Sequence, residues 1–298
     1  MKEVELILSP PEPHFVGDGF RVHNFIPGAY RLDMHRMDPF IMLDYNSKHI
    51  FPPSDKPKGV GVHPHRGFET VTIAYKGKVA HHDSAGGGGI IGEGDVQWMT
   101  AASGVLHKEY HEEEFSKTGG EFQMVQLWVN LPSKFKMSAP KYQAIENAKM
   151  QRVDLEKGGY IELIAGDYTD FNGEKHQGPA STFSPVHLSN ASLHAGDTAH
   201  YSFPAHYNTA IVVIEGEIIV NQEFVAPTDN FVLFANKGEE FTIEKSPESV
   251  ENAKVLVLSG EPLREPIAAH GPFVMNTRQE LVQAFNDFND GKFGFLED

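Results

Sequence analysis

Short apolar runs rich in Val, Ile, Phe and Thr recur along the whole chain, and Gly and Pro separate them. Examples are TVTIAY, FQMVQLWVNL, TAIVVIEGEIIV and AKVLVLSG. Many short strands joined by tight turns are typical of β-sandwiches and β-barrels. The pattern therefore predicts an all-β protein.

Two parts of the chain share this pattern. IAYKGKVAHH at 73–82 and VIEGEIIVN at 213–221 both read as strand, glycine turn, strand, and a further strand follows each. Between them the chain loses the β pattern and gains prolines and lysines. We predict two β-barrels, at 1–135 and 149–298, with a linker at 136–148.

The C-terminal end shows helical rather than strand periodicity. Thr277 and Glu280 form a capping-box pattern, and Gly291 is a suitable terminator. Between them, apolar residues fall at helical spacing: Leu281, Ala284, Phe285 and Phe288. We predict a short amphipathic helix whose Phe side packs against a barrel.

Composition narrows the possible partners. The chain of 298 residues carries a formal charge of -16, which would repel a nucleic-acid backbone, so we expect no direct nucleic-acid binding. It has no cysteine, so any metal must be held by nitrogen and oxygen donors. No apolar stretch approaches the roughly twenty residues of a membrane span, and we expect a cytoplasmic monomer.

Histidines are concentrated in two strand-like segments. His63 and His65 stand two apart in VHPHRGFET, and His107, Glu109 and His111 do the same in LHKEYH. Residues two apart in a strand point to the same side. If the two strands are neighbours, His63, His65 and His107 converge on a cation, with a carboxylate as fourth donor. Such a donor set suits iron, nickel, manganese, copper or zinc.

Two carboxylates compete for the fourth position. Glu69 has the right parity, but in an extended strand its Cα would lie some 13 Å beyond that of His65, at about 3.3 Å per residue. Glu109 stands beside His107 on the same face. Geometry favours Glu109 unless the strand bends sharply at Gly67.

Several motifs resemble those of the pirin family of the cupin superfamily. The HxH…Glu order, the glycine turn at Gly77, Gly94-Asp95 and Gly104…His107 resemble the two cupin signatures. HPHRGFETV, GDVQWMTAASGVLHKE, QLWVNLP and GEPLREPIAAHGPFVMNT resemble pirin specifically, over most of the chain.

The resemblance implies two tandem cupin barrels, that is, double-stranded β-helices, with one divalent transition metal in the first. The ligands would be His63, His65, His107 and Glu109, and Glu69 would be a nearby hydrogen-bonding residue. The metal it implies is Fe(II), with Ni, Cu, Mn, Co or Zn as alternatives. In the second barrel the segment aligned with the HxH motif reads SFPAH at 202–206, so we expect no comparable metal site there.

Two functions follow from the resemblance. The first is a quercetin 2,3-dioxygenase activity, in which a flavonol and O₂ react, Glu109 takes the substrate proton, and carbon monoxide is released. The second is an iron-dependent redox sensor that binds a transcription factor or a metabolic enzyme. Outside the proposed ligand set, we expect a surface or turn role for His81, His82 and Asp83, and an outward-facing ion pair for Arg66.

Overall fold

The computed structural model describes residues 1–297, and residue 298, the last of the expected C-terminal domain, lies outside the described residues. Two cupin-type β-barrels and a C-terminal helix account for most of the chain, as the sequence predicts.

The strands of the first 150 described residues are β1 (Val4–Leu8), β2 (His14–Val16), β3 (Phe20–Ile26), β4 (Phe40–Phe51), β5 (Gly59–His65), β6 (Phe68–Lys76), β7 (Val79–Asp83), β8 (Gly88–Ile91), β9 (Val96–Thr100), β10 (Val105–His111), β11 (Gly120–Asn130) and β12 (Lys141–Ile145). Helices α1 (Met34–Met37) and α2 (Glu113–Thr118) and the 3-10 turns Ser133–Phe135 and Asn147–Lys149 lie in the same part.

The remaining strands are β13 (Gln151–Asp154), β14 (Tyr160–Ala165), β15 (Asp167–Thr169), β16 (Lys175–Gln177), β17 (Val186–Leu193), β18 (Thr198–Ser202), β19 (Asn208–Glu215), β20 (Ile218–Val220), β21 (Phe224–Ala226), β22 (Phe231–Phe234), β23 (Glu240–Lys245), β24 (Ala253–Gly260), β25 (Ala268–His270) and β26 (Phe273–Met275). Helix α3 (Arg278–Asn289) follows them. No helix among residues 1–297 is long and apolar enough to cross a bilayer.

Each barrel pairs a seven-stranded sheet with a four-stranded one. In the first barrel the orders are β12-β9-β6-β11-β4-β3-β2 and β5-β10-β7-β8. In the second they are β1-β22-β19-β24-β17-β14-β13 and β18-β23-β20-β21. The two orders match strand for strand through most of their length, which supports the repeat inferred from the glycine turns.

The strand pairing crosses the expected domain boundaries at two places. Strand β1 lies within 1–135 but pairs with β22 of the second barrel. Strand β12 lies within the expected linker at 136–148 but pairs with β9 of the first barrel. Lone strands complete sheets whose other strands come from elsewhere in the chain, so local sequence does not reveal them. The division into 1–135, 136–148 and 149–298 stays a prediction.

The two seven-stranded sheets share one apolar core. A single cluster of buried side chains includes Phe25 and Trp98 of the first barrel and Phe231 and Leu258 of the second. The Phe25 and Phe231 rings stack with centroids 5.1 Å apart. This continuous core couples the two barrels into one molecule.

The C-terminal helix forms as the sequence predicts. Thr277 caps α3 in a complete capping box with Glu280, and Gly291 follows the helix at φ 74°. Ala284 is fully buried, and the Phe285 ring meets Phe273 edge-on at 4.8 Å. The helix and the β25–β26 hairpin pack on the first barrel, next to the end of β5.

Candidate metal centre

Pairing of β5 with β10 brings the two histidine motifs together. His107 lies directly opposite His63, and Val105 lies opposite His65. Along β10, residues 105, 107, 109 and 111 are buried and those between them are more exposed. The assumption of neighbouring strands is therefore correct, and His107 and Glu109 point into the barrel together.

Three imidazoles converge inside the first barrel. One ring nitrogen from each of His63, His65 and His107 lies within 4.8 Å of those of the other two. Ring centroids are 4.2 Å apart for His63 and His107, and 4.6 Å apart for His65 and His107. A transition metal bound by nitrogen donors would fit between these atoms.

Each imidazole is oriented through its Nδ1 atom. The partners of Nδ1 are the Gly61 carbonyl at 2.8 Å for His63, the Pro272 carbonyl at 3.4 Å for His65, and His81 Nε2 at 3.1 Å for His107. The Nε2 atom of His107 is buried and has no hydrogen-bond partner among residues 1–297. Outer-shell contacts at one ring nitrogen that leave the other free are typical of metal-binding histidines.

Burial keeps two of these rings in the form that binds metal. It lowers the pKa of His65 and of His107 well below the usual 6.5, and the neighbouring imidazoles lower both further. Both rings are therefore neutral at pH 7, as a metal ligand must be.

Glu109 reaches from β10 across the barrel to the seven-stranded sheet. Its carboxylate accepts hydrogen bonds from Thr72 Oγ1 at 3.2 Å, Gln97 Nε2 at 3.2 Å and Gln126 Nε2 at 2.7 Å. Glu109 lies outside the set of atoms that meet within 4.8 Å. Its role as fourth ligand stays a prediction, and ligation would require it to give up part of this hydrogen bonding.

Glu69 lies apart from the three histidines. Gly67 does break the strand, at φ 93°, so β5 ends before it and Glu69 belongs to β6. The carboxyl group is buried and accepts a hydrogen bond from Thr100 Oγ1 at 2.7 Å. Burial raises the pKa of Glu69 to about 7, against the effect of that hydrogen bond. The structure therefore gives Glu69 a buried hydrogen-bonding position outside the group of three histidines.

The expectation of a surface or turn role is wrong for His81. Its side chain has 0% exposure and contacts His107, whereas His82 is exposed and Asp83 accepts hydrogen bonds from the Ala85 and Gly87 amides in the following turn. Alternation along β7 could have revealed this, because Val79, His81 and Asp83 share a side. The donors to Glu109 were also missed, although they are polar residues at inward positions of apolar strands.

Contacts from outside the barrel hold the end of the strand that carries His63 and His65. Arg66 forms the expected ion pair, with Asp287 of α3 at 2.8 Å, but it is buried beneath the C-terminal segment rather than solvent-facing. Its Nε donates to the Ser103 carbonyl at 2.7 Å. Buried Lys136 donates to the Gly67 and Val274 carbonyls. The C-terminal segment thus helps to position the strand that carries the candidate ligands His63 and His65.

A small cavity adjoins the site. It measures about 30 Å³ and touches His63, Glu109 and Gln126. Its other walls, mostly apolar, are Val16, Phe20, Val22, Asp44, Val60 and Met124. Ligand pockets usually measure about 300–1,000 Å³, so this cavity is much smaller than a usual ligand pocket.

The second barrel carries aromatic rings where the first carries histidines. Tyr201 and Phe203 contact Phe241 in its core, and His206 is exposed and pairs with Glu261 at 3.5 Å. A cavity of about 780 Å³ opens there, lined in part by His187, and it is distinct from the histidine cluster of the first barrel. Asp170, Glu174 and His176 come within 4.8 Å of one another in the β15–β16 hairpin.

Two family models match the chain. The pirin model matches residues 19–129, and the model of the pirin C-terminal cupin domain matches residues 188–294. The first match includes the three histidines and Glu109.

Full-length relatives and a solved structure show the same likeness. A Pseudomonas aeruginosa protein provisionally named a quercetin 2,3-dioxygenase is 46% identical over 294 residues, covering 98% of this chain and 99% of the relative. Pirin-1 of Arabidopsis thaliana is 33% identical over 281 residues, covering 94% and 90%. The crystal structure of quercetin 2,3-dioxygenase from Acinetobacter baumannii matches with a TM-score of 0.89 at 46% identity, covering 100% of both chains.

Proposed function

The chain belongs to the pirin family, and we propose that it is a metal-dependent dioxygenase of the quercetin 2,3-dioxygenase type. The substrate would be a flavonol, whose central ring is opened as both atoms of O₂ enter the product and carbon monoxide leaves. His63, His65, His107 and Glu109 would hold Fe(II), with Ni, Cu, Mn, Co or Zn as the other candidates.

The observation that supports the proposal is an unpartnered ring nitrogen in the histidine cluster. Among residues 1–297, His107 Nε2 is buried without a hydrogen-bond partner, and His107 contributes one ring nitrogen to a group of imidazole nitrogens that lie within 4.8 Å of one another. A buried polar atom with no partner is costly unless something binds it. A metal ion would satisfy that atom, and when bound it would supply Lewis acidity toward a substrate hydroxyl and redox chemistry toward O₂.

In this proposal Glu109 would accept the substrate proton. It is buried beside His63 at the small cavity, and Gln126 donates to its Oε2 at 2.7 Å. Thr72 and Gln97 donate to Oε1, so three neutral donors fix the direction of the carboxylate. A base that is held in place and shielded from water accelerates proton abstraction by about 10²–10⁴-fold.

The apolar walls of the cavity suit an aromatic substrate. Val22, Val60 and Met124 line it, and Phe20 closes one side from β3. Binding would require the β2–β3 hairpin to open, because the cavity holds only about 30 Å³. After closure the same hairpin would exclude water from the reacting groups.

The small cavity also favours a second candidate, an iron-dependent regulatory protein. Such a protein needs no room for a flavonol, and its metal oxidation state would alter affinity for a partner. The formal charge of -16 would favour a basic partner surface. In that case the partner would be a transcription factor or a metabolic enzyme in the cytoplasm.

A matched pair of variants tests the dioxygenase proposal. Full-length protein is loaded anaerobically with Fe(II) and given quercetin and air, and loss of the flavonol absorption is followed together with release of carbon monoxide. Glu109→Gln should keep much of the bound metal through the three histidines but lose at least about 100-fold in kcat, because the base is gone. Glu69→Gln should keep wild-type turnover, because Glu69 bonds Thr100 instead.

Reconstitution with each candidate metal completes the test. If wild-type protein fails to turn over quercetin with Fe, Ni, Cu, Mn, Co or Zn, the dioxygenase proposal is wrong and the regulatory role takes its place. Full activity of Glu109→Gln would show that Glu109 is not the base. Elemental analysis of protein purified without added metal, with His63→Ala as control, identifies the native ion.

A further inference from the structure

His81 contacts the candidate metal centre from the strand next to β10. Strand β7 pairs with β10 in register, which places His81 opposite Glu109. The His81 side chain is completely buried, and its Nε2 lies 3.1 Å from His107 Nδ1. Two neutral imidazoles at this distance share one hydrogen bond, so one of them must donate and the other accept.

The direction of this hydrogen bond decides whether His107 can bind a cation. If His107 accepts, its proton lies on Nε2, and that atom cannot serve as a ligand. If His107 donates from Nδ1, the lone pair of its Nε2 atom is free to bind a cation. The second arrangement requires the His81 proton to lie on Nδ1, an atom that is buried without a partner among the described residues.

We propose that His81 is a positioning residue that holds His107 in the Nδ1–H tautomer and fixes its ring, so that His107 Nε2 faces the metal. This proposal rests on the proposed metal site. It adds a residue outside the four expected ligands whose loss weakens metal binding without removing a ligand.

Packing keeps the His81 ring in position. The ring lies parallel to that of Tyr142, with centroids 5.4 Å apart and an interplanar angle of 7°. Tyr142 belongs to β12, which pairs with β9 on the seven-stranded sheet.

Metal affinity provides the first measurement. Co(II) and Zn(II) are titrated into metal-free full-length protein in competition with a chromophoric chelator. His81→Phe keeps a flat ring next to Tyr142 but cannot accept a hydrogen bond, and loss of such an outer-shell partner costs about 10–100-fold in affinity. His81→Gln places an amide oxygen near the former Nε2 and should restore affinity to within about fivefold of wild type.

The adjacent residue offers a matched control. His82 lies on the same strand but is exposed, and its ring stacks on Tyr110. His82→Phe makes the same chemical change on the opposite side of β7 and should leave metal affinity unchanged. Thermal melts of the metal-free variants separate loss of folding from loss of binding.

A second measurement reads the tautomer directly. In metal-free protein labelled with ¹⁵N-histidine, His107 should show a proton on Nδ1 in wild type and in His82→Phe, and a mixture of tautomers in His81→Phe. The proposal is overturned if His81→Phe binds Co(II) within about twofold of wild type, or if its His107 keeps the Nδ1 proton.

These outcomes are separate from those of the dioxygenase test. Wild-type protein that binds Co(II) but never consumes quercetin would refute the dioxygenase proposal and leave the role of His81 intact. Wild-type protein that binds no metal ion would refute both.

Discussion

Burial changes the chemistry of individual histidines in this protein. His65 and His107 sit inside the first barrel with depressed pKa values, and His187 is buried in the second. Desolvation disfavours the charged imidazolium in each case. Desolvation therefore keeps the candidate ligands of the first barrel neutral. In the second barrel it makes the stability contributed by a buried histidine sensitive to acid.

His187 provides a test of this effect away from the metal centre. Its Nδ1 lies 3.1 Å from the Asp167 carbonyl and its Nε2 lies 2.8 Å from Ser189 Oγ, and burial lowers its pKa to about 4. The unfolded chain takes up this proton near pH 6.5 and the folded chain only near pH 4. Stability from His187 is therefore present above pH 6.5 and is lost as the pH falls toward 4.

The expected result is a shallower dependence of stability on pH in His187→Gln. Urea unfolding of metal-free protein between pH 7 and 4.5 should show that the variant takes up roughly one proton fewer than wild type on unfolding. His206→Gln changes an exposed ring and should show the same dependence of stability on pH as wild type. Identical slopes for all three proteins would contradict the prediction.

At the scale of elements, the C-terminal segment stabilises a strand that is distant in sequence. The Val274 amide donates to the Arg66 carbonyl, and the Arg66 amide donates to the Pro272 carbonyl. The Arg66 guanidinium then pairs with Asp287 on α3 and lies 4.7 Å from the centre of the Phe293 ring. The end of β5 is thus placed by contacts made more than 200 positions later in the chain.

Removal of the Asp287 charge should destabilise the protein. Arg66 is only 4% exposed, and a buried charge that loses its partner costs about 3 kcal/mol. Asp287→Asn should therefore lower the free energy of unfolding by about that amount, measured by chemical denaturation. Asp290→Asn is the matched control, because Asp290 pairs with exposed Lys292 and its side chain is 62% exposed. The control should lower the free energy of unfolding by less than about 0.5 kcal/mol. Equal effects of both variants would show that the Arg66–Asp287 pair makes no special contribution to stability.

At the scale of the molecule, the two barrels share structure rather than merely lying in tandem. Strand β1 completes a sheet of the second barrel, and the Tyr45 hydroxyl donates to Asp229 Oδ1 at 2.6 Å across the junction. Tyr75 donates in the same way to Asn190 at 2.8 Å. The junction contains buried, paired polar groups and a continuous apolar core. We therefore expect the two barrels to unfold together in one transition.

Calorimetry tests that coupling. Wild-type protein should show one unfolding transition. Phe25→Ala removes a fully buried ring that stacks on Phe231 and should lower the free energy of unfolding by about 3–5 kcal/mol. Phe25→Leu should cost less because it leaves a smaller cavity. Two well-separated transitions in the wild type would show that the barrels unfold independently.

Much of the fold and part of the site could be predicted from sequence. Strand alternation placed His63 and His65 on one side, and His107 and Glu109 on one side, because period two is a local property of any strand. The capping box at Thr277 and Glu280 located the start of α3, because helix capping also depends on residues close in sequence. The family motifs then identified the barrels, and the strand pairing confirmed that β5 and β10 are neighbours.

Only the tertiary structure decided which distant groups meet. It placed His81 against His107 and Pro272 against His65, and it assigned β1 and β12 to their sheets. It also left Glu109 bonded to Thr72, Gln97 and Gln126. Residue spacing fixes the side of a strand on which a group lies, whereas its contacts depend on how separate strands pack, and local sequence does not encode that packing.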